Sequence, residues 1–338
     1  MSDASTKPPL RLGFTGDVML GRLVDQYQRN RPPEAVWGEL LDRLQSLCGL
    51  FVNLECCLST RGQQWTRTYR PFHFRADPEW AIPALRAAGV DWVALANNHV
   101  LDYGPTALED TLEHLDRADI AHAGAGRTIE EASEPSFVEV ADGELTVGLV
   151  SFTDNTPEYA AGTDAPGTAH VEIDHTDDRT RTTVLEALTT LHAAEPDLTV
   201  ASLHWGPNMV EEPPSAFRQF AHWLIDEGVE VVHGHSAHVF QGIEVYDGRP
   251  ICYDTGDFVD DYAVDPELRN DRSFLFELVV DRDGTLRELR LVPTEILDFA
   301  VHPASSATGR WSRERMRTLS KPFGTSFERD GEALLLPL

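Results

Sequence analysis

The chain has 338 residues, with 56 Asp+Glu against 28 Lys+Arg and a formal net charge of −28. Its 41% hydrophobic and 25% charged content supports a packed core and excludes a disordered acidic chain. The shortage of cations argues against nucleic acid and against an anionic membrane surface as partners.

Residues 10–16 read as a buried strand ending at Asp17, and a helical pattern follows over 33–47, with Trp37, Leu40, Leu41 and Leu44 at helical spacing. Residues 49–54 form a second apolar strand stopping at Glu55, 78–88 a helix closed by Gly89, and 90–96 a third strand stopping at Asn97-Asn98-His99. A helix over 105–117 and a short strand over 119–122 complete a β-α-β-α-β-α-β run, the pattern of a mainly parallel sheet with covering helices. Residues 137–140 and 145–152 flank Asp142-Gly143 as a hairpin, and 154–178, rich in Asp, Thr, Pro and Gly, read as a long loop. Helices over 179–194 and 214–227 alternate with strands over 198–203 and 229–232, which end at His204 and His233. Two more hairpins turn at Asp247-Gly248 and Asp283-Gly284. No repeat or linker is visible, so the expectation is one α/β (α+β) domain over 1–338, with a core of about 10–295 and a C-terminal extension, 296–338.

Other features bound the setting. Lys7 and Lys321 are the only lysines, which fits either a GC-rich genome or adaptation to high salt. Cys48, Cys56, Cys57 and Cys252 form no CxxC pair and read as free thiols in a reducing compartment rather than a disulfide scaffold. Residues 1–9 are polar without an apolar h-region, and no run approaches a transmembrane helix. The expected protein is soluble and cytoplasmic, with no membrane insertion. Nothing in the sequence sets its oligomeric state.

The polar clusters fall at the carboxyl ends of apolar strands, where open α/β sheets place their sites. They are Gly16-Asp17, Asn53-Leu54-Glu55, Asn97-Asn98-His99, His204-Trp205-Gly206, residues 233–238, and Asp254-Thr255-Gly256-Asp257. Any one alone reads as a turn, a cap or a satisfied core residue. Together, carboxylate, amide oxygen and imidazole suit one or two divalent metal ions. Gly124-Ala125-Gly126 lacks the third glycine of a dinucleotide fingerprint.

These segments resemble the CapA family of capsule and poly-γ-glutamate biosynthesis proteins. Gly16-Asp17-Val18-Met19-Leu20-Gly21-Arg22 looks like its GDVMLGR, Asn53-Leu54-Glu55 its NLE, Ala96-Asn97-Asn98-His99 with Asp102 and Gly104 its ANNHxxDxG, and Gly124-Ala125-Gly126 with Glu131-Ala132 its GAGxxxxEA. Ser202-Leu203-His204-Trp205-Gly206 looks like SLHWG, residues 234–244 like GHHPHVVQGIE, and residues 253–258 like YSLGNF. The resemblance runs from about Leu12 to Asp260. It implies a calcineurin-like, metallo-dependent phosphatase fold, a four-layer αββα sandwich of two mixed β-sheets. It places Asp17 and His238 on one metal, Asn98 and His204 on a second, and Glu55 as bridge. His99 becomes the acid that serves the leaving group, with Asp102 beside it in the motif, and Arg22 an anion-holding group. There are departures. Asp17-Val18-Met19 has no His where metallophosphatases carry Asp-x-His, and Ser236 stands where a ligating His is expected, with His235 or His233 as substitute. The second metal is then expected to be weak or missing, and the set tolerates Mn, Mg, Ca, Zn or Fe.

Three functions follow from the resemblance. The first is a metal-dependent hydrolase acting on a phosphoester or amide. The second is a metal-dependent peptide epimerase on the same fold. The third is a polymer-binding protein without catalysis. The expected partner is a small-molecule or peptide substrate, neutral or anionic, and not nucleic acid.

Overall fold

The computed structural model describes residues 7–338. The polar N-terminal segment discussed above lies, over residues 1–6, outside the described residues. Two mixed sheets lie face to face. The first runs in the order Glu328–Asp330, Ala333–Pro337, Leu286–Leu297, Arg272–Val280, Leu10–Val18, Gly49–Leu54, Trp92–Ala94, Ala121–Ala123. The second runs Ile243–Tyr246, Arg249–Cys252, Val231–His235, Leu198–His204, Leu145–Thr153, Ser136–Val140. In the first sheet the strands from Leu10–Val18 to the Ala121–Ala123 edge pair in parallel and the rest antiparallel, and in the second the central strands pair in parallel between antiparallel margins.

Strict alternation explains why the strands read as continuous apolar runs: both faces are buried. Phe51 belongs to the core between the sheets, whereas Leu50, Val52 and Leu54 pack outward against the helices Pro78–Ala88 and Gly104–Arg117. In the second sheet Val200 and Val231 face inward, and Ala201, Leu203 and Val232 face the helices Asp178–Ala193 and Ser215–Asp226. Three cores separate four layers, helices, sheet, sheet and helices, which is the αββα sandwich expected.

The predicted helix over 33–47 is two pieces, a 3₁₀ turn at Pro33–Leu40 and an α-helical turn at Leu41–Gln45. Gly38 breaks it with φ +47°, and a Cβ there would meet the Val301 carbonyl oxygen at 2.5 Å, so the neighbouring strand Ala300–Pro303 sets the kink. The sequence also misses the short helix Arg22–Gln28. The loop over 154–178 holds a 3₁₀ turn at Pro157–Tyr159 and a two-residue pairing of Gly167–Thr168 with Ala125–Gly126. Residues beyond 296 form the helix Ser306–Ser320 and strands that extend the first sheet, and Met316, Leu334 and Leu336 are buried between the sheets. Cys56, Cys57 and Cys252 are buried free thiols, and Cys48 is half-buried. Among the described residues no helix is long and apolar enough to cross a membrane.

Leu334 therefore acts as a core residue. Leu334→Ala is expected to cost about 2–5 kcal/mol by urea unfolding, against less than about 0.5 kcal/mol for Leu297→Ala, whose side chain is 50% exposed.

Candidate metal centre

The same alternation that builds the inner core delivers the polar residues. Val200, Ser202 and His204 share one face, as do Val231, His233 and His235, and His204 lies in register with His235. On the first sheet Phe51, Asn53 and Glu55 share the inner face. A register irregularity between Phe14 and Asp17 shifts the parity of the first strand, so Asp17 pairs with Asn53 while Val18 turns to the helix-covered side. The turn 254–257 then closes over both sheets. The Asp17 amide donates to the Gly256 carbonyl at 2.9 Å and the Thr255 amide to the Gly234 carbonyl at 2.9 Å. A Cβ on residue 16 would sit 1.7 Å from the Gly256 oxygen, so only glycine fits there.

Asp17 is the hub. One ligand group is Asp17, His204 and His235; another is Asp17, His238 and Asp257; within each, one ligand atom per residue lies within 4.8 Å of the others. His238 Nδ1 donates to Asp257 Oδ1 at 2.8 Å and stands 3.4 Å from Asp17 Oδ2. His204 Nδ1 and His235 Nδ1 are 2.9 Å apart. Asn53 Nδ2 donates to Asp17 Oδ1 at 2.7 Å. All of these side chains are buried. At the cluster, the buried carboxylate oxygens Asp17 Oδ2, Glu55 Oε1 and Asp257 Oδ2 lack a hydrogen-bond partner among the described residues, as does Asn98 Oδ1 next to His99 in the chain. Orphaned acceptors of this kind are rare in folded proteins, and a divalent cation is the chemistry that satisfies them.

The electrostatics agree. Burial would raise Asp17, yet the charged His238 ring, its Nδ1 3.4 Å from Asp17 Oδ2, holds it well below the usual carboxylate range. Burial pushes His204 down to about 3 and His235 well below its ordinary value, so both rings are neutral at pH 7, the state in which imidazole ligates. Burial, then the Asp17 charge, raises Glu55 well above its usual range. His238 goes the other way: burial disfavours its charge, but the Asp257 and Asp17 carboxylates hold it high.

Beside this cluster, His99 Nδ1 donates to Asp102 Oδ2 at 2.5 Å, and its Nε2 stands 3.8 Å from Glu55 Oε1. Asp102 also accepts from the Phe74 amide at 2.7 Å and the Tyr159 hydroxyl at 2.9 Å. Arg22 lies at the rim, its Nε 3.3 Å from Asp261 Oδ2. Arg70, half-buried, donates to the Asn98 carbonyl and to Thr156 Oγ1.

Of the sequence-derived candidates, Asp17, Glu55, His204, His235 and His238 meet in one cluster, His99 with Asp102 stands beside it, Arg22 lines the adjoining cavity, and Asn98 precedes His99 with its carbonyl bonded to Arg70. The carboxylate common to both ligand groups is Asp17, whereas Glu55, the bridge implied by the resemblance, reaches His204 Nε2 at 3.9 Å. Of the two substitutes for the absent histidine, His235 enters a ligand group, and His233 instead bonds the Thr15 carbonyl at 2.8 Å and Ser202 at 3.2 Å. Asn53 and Asp257 stand in two of the strand-end clusters but receive no role from the resemblance, and Tyr262, whose hydroxyl donates to Glu55 Oε2 at 3.0 Å, lies outside those clusters. Period-two alternation back from Glu55 was a usable signal for Asn53. No local signal marks Tyr262.

The sequence profile described as "Bacterial capsule synthesis protein PGA_cap" matches residues 11–262. A probable polyglutamine synthesis accessory protein of Mycobacterium tuberculosis is 32% identical, the match covering 91% of this chain and 90% of that protein. The PGA biosynthesis protein CapA of Bacillus subtilis is 24% identical over 92% of this chain and 76% of its own length. The capsule biosynthesis protein CapA of Bacillus anthracis is 26% identical over 97% and 78%. A solved purple acid phosphatase from yellow lupin seeds aligns at a TM-score of 0.40 and 9% identity, over 88% of this chain and 53% of that one.

The buried imidazoles yield a pH prediction. Burial pushes His233 down to about 4, partly opposed by its bond to the Thr15 carbonyl. Between pH 6.5 and 4 the unfolded chain binds a proton at this ring that the folded chain does not. Its contribution to stability therefore falls with falling pH, by up to about 1.4 kcal/mol per unit. Glu55, Asp254 and Asp257, raised by burial, contribute with the opposite sign. The difference between wild type and His233→Gln isolates the ring: the acid limb of the variant's urea stability is expected to be shallower between pH 6.5 and 4.5.

Proposed function

This chain belongs to the PGA_cap family of bacterial capsule synthesis proteins, and we propose that it is a divalent-metal-dependent hydrolase acting on a phosphoester or amide. The observation that carries the reading is the convergence of three orphaned buried carboxylate oxygens, on Asp17, Glu55 and Asp257, with the neutral imidazoles of His204 and His235. Asp17, His204 and His235 would hold one ion, and Asp17 and Asp257 a second, which His238 would join on giving up its proton, with Glu55 presenting a further free oxygen. A divalent ion held there supplies positive charge against a developing oxyanion and makes water acidic enough to act near neutral pH.

The chain's own residues do the rest. Asn53, donating to Asp17 Oδ1, fixes which carboxylate oxygen remains free for a ligand. Tyr262 does the same for Glu55, leaving Oε1 open. Asp102 accepts from His99 Nδ1 and so aims Nε2 at the cluster, where that atom can hold or deliver a proton to a leaving group. Arg22 gives the rim its cation. Inner-face packing of both sheets buries these side chains, which strengthens each of these interactions.

The test is metal content by mass spectrometry of the purified protein, together with turnover of p-nitrophenyl phosphate and a γ-glutamyl anilide after divalent metal loading. Expected are bound metal in the wild type, a loss of at least about 100-fold in kcat/KM for Asp17→Ala and His204→Ala, and a loss of roughly 10²–10⁴-fold in kcat for His99→Gln. Turnover that survives both ligand substitutions, or solvent deuterium uptake into a peptide without cleavage, overturns hydrolysis as the reaction.

A further inference from the structure

A cavity of about 560 Å³ opens directly onto the cluster. His99 and His238 form its inner end, and Phe72, Phe74, Met209, Tyr262 and Val264 form its walls. The apolar surface is continuous with the proton-carrying groups. The Phe74 ring stacks on His99 with centroids 3.6 Å apart and planes at 23°. The Tyr262 ring meets His238 edge-on at 4.9 Å while its hydroxyl holds Glu55.

Two further observations describe the occupant. Phe72 and Val264 are 53% and 50% exposed, among the few large hydrophobic side chains of the described residues left in water, and both line this one cavity from separate segments. An exposed apolar lining at a concave site is recovered by an apolar ligand. The cavity's one Arg or Lys is Arg22, and it is already engaged: its Nε faces Asp261, and its guanidinium lies over the Phe72 and Phe74 rings at 5.0 and 5.5 Å. Asp265 is also in the lining. On a chain of net charge −28, an extended polyanion finds no run of counter-charges here.

We infer that the substrate carries an apolar, ring-sized group next to a single polar or anionic reacting group, the ring seated among Phe72, Met209, Tyr262 and Val264 and the reacting group at the cluster. This rests on the reading of the cluster as a metal-dependent catalytic centre and adds its specificity.

Calorimetric titration of the metal-loaded protein with 2-naphthylphosphonate and with methylphosphonate tests it without requiring turnover. The naphthyl probe is expected to bind at least about tenfold more tightly, the range a hydrophobic pocket yields for added apolar surface. The double variant Phe72→Ala/Val264→Ala is expected to bring that ratio close to 1, with each single variant intermediate. Both side chains are half-exposed, so thermal unfolding is expected to stay near wild type and separates a pocket effect from misfolding. Poly-γ-glutamate is expected not to displace the naphthyl probe. Equal binding of the two phosphonates, an undiminished ratio in the double variant, or displacement by poly-γ-glutamate overturns the inference. Absence of ester or amide turnover would overturn the hydrolase reading and leave the measured preference standing.

Discussion

Everything at the centre follows from packing two sheets against each other on their inner faces. A strand buried on both sides has no solvent to receive a polar side chain, so the residues that continue the inner face beyond the apolar core must meet each other. Asp17, Asn53 and Glu55 come from one sheet and His204 and His235 from the other, and they share one small, buried volume. The turn at Asp254–Asp257 closes it, bonded to Asp17 on one side and Gly234 on the other. Carboxylates are costly to bury unless something neutralises them. Here their charge is answered in part by His238, and the unpartnered oxygens mark where the answer is incomplete.

The protein handles its acidity differently outside that volume. Arg43 reaches Glu277 with two hydrogen bonds of 2.6 and 3.0 Å, Arg269 grips Asp271 at 2.8 and 2.5 Å, and Arg218 grips Glu244 at 3.3 and 3.1 Å. These are two-pronged contacts that a guanidinium makes and an ammonium cannot, which gives the near absence of lysine a structural consequence. Most of the negative charge nevertheless bears on solubility and on which ligands approach rather than on the fold. A paired Arg22 beside an apolar cavity is what that field leaves at the entrance.

The parallel core and most helices were legible because their signals are local. Apolar runs that stop at a polar residue, Gly89 after a helix, and Asp-Gly between strands each act within a few residues. What failed was set at a distance. The 33–47 helix is cut at Gly38 because the strand Ala300–Pro303 presses against it, and that strand is over 250 residues away. The helix Arg22–Gln28 is short and carries no side-chain cap, so nothing announces it.

By itself the sequence determined which residue types stand at the strand ends and, through period-two alternation, that Glu55, His204 and His235 each lie on a definite face. It also carried enough of the motif order to place the family. Only the tertiary structure decided which of those residues meet. Asp17 rather than Glu55 is common to both ligand groups, because a register irregularity after Phe14 rotates it inward. His235 rather than His233 joins, because His233 lies one step deeper along its strand and is taken by the Thr15 carbonyl. Asp257 and Tyr262 arrive from a late turn that no local pattern ties to the opening strand. Alternation sets a side chain's face, but its partner is set by the register and packing of strands far apart in the chain.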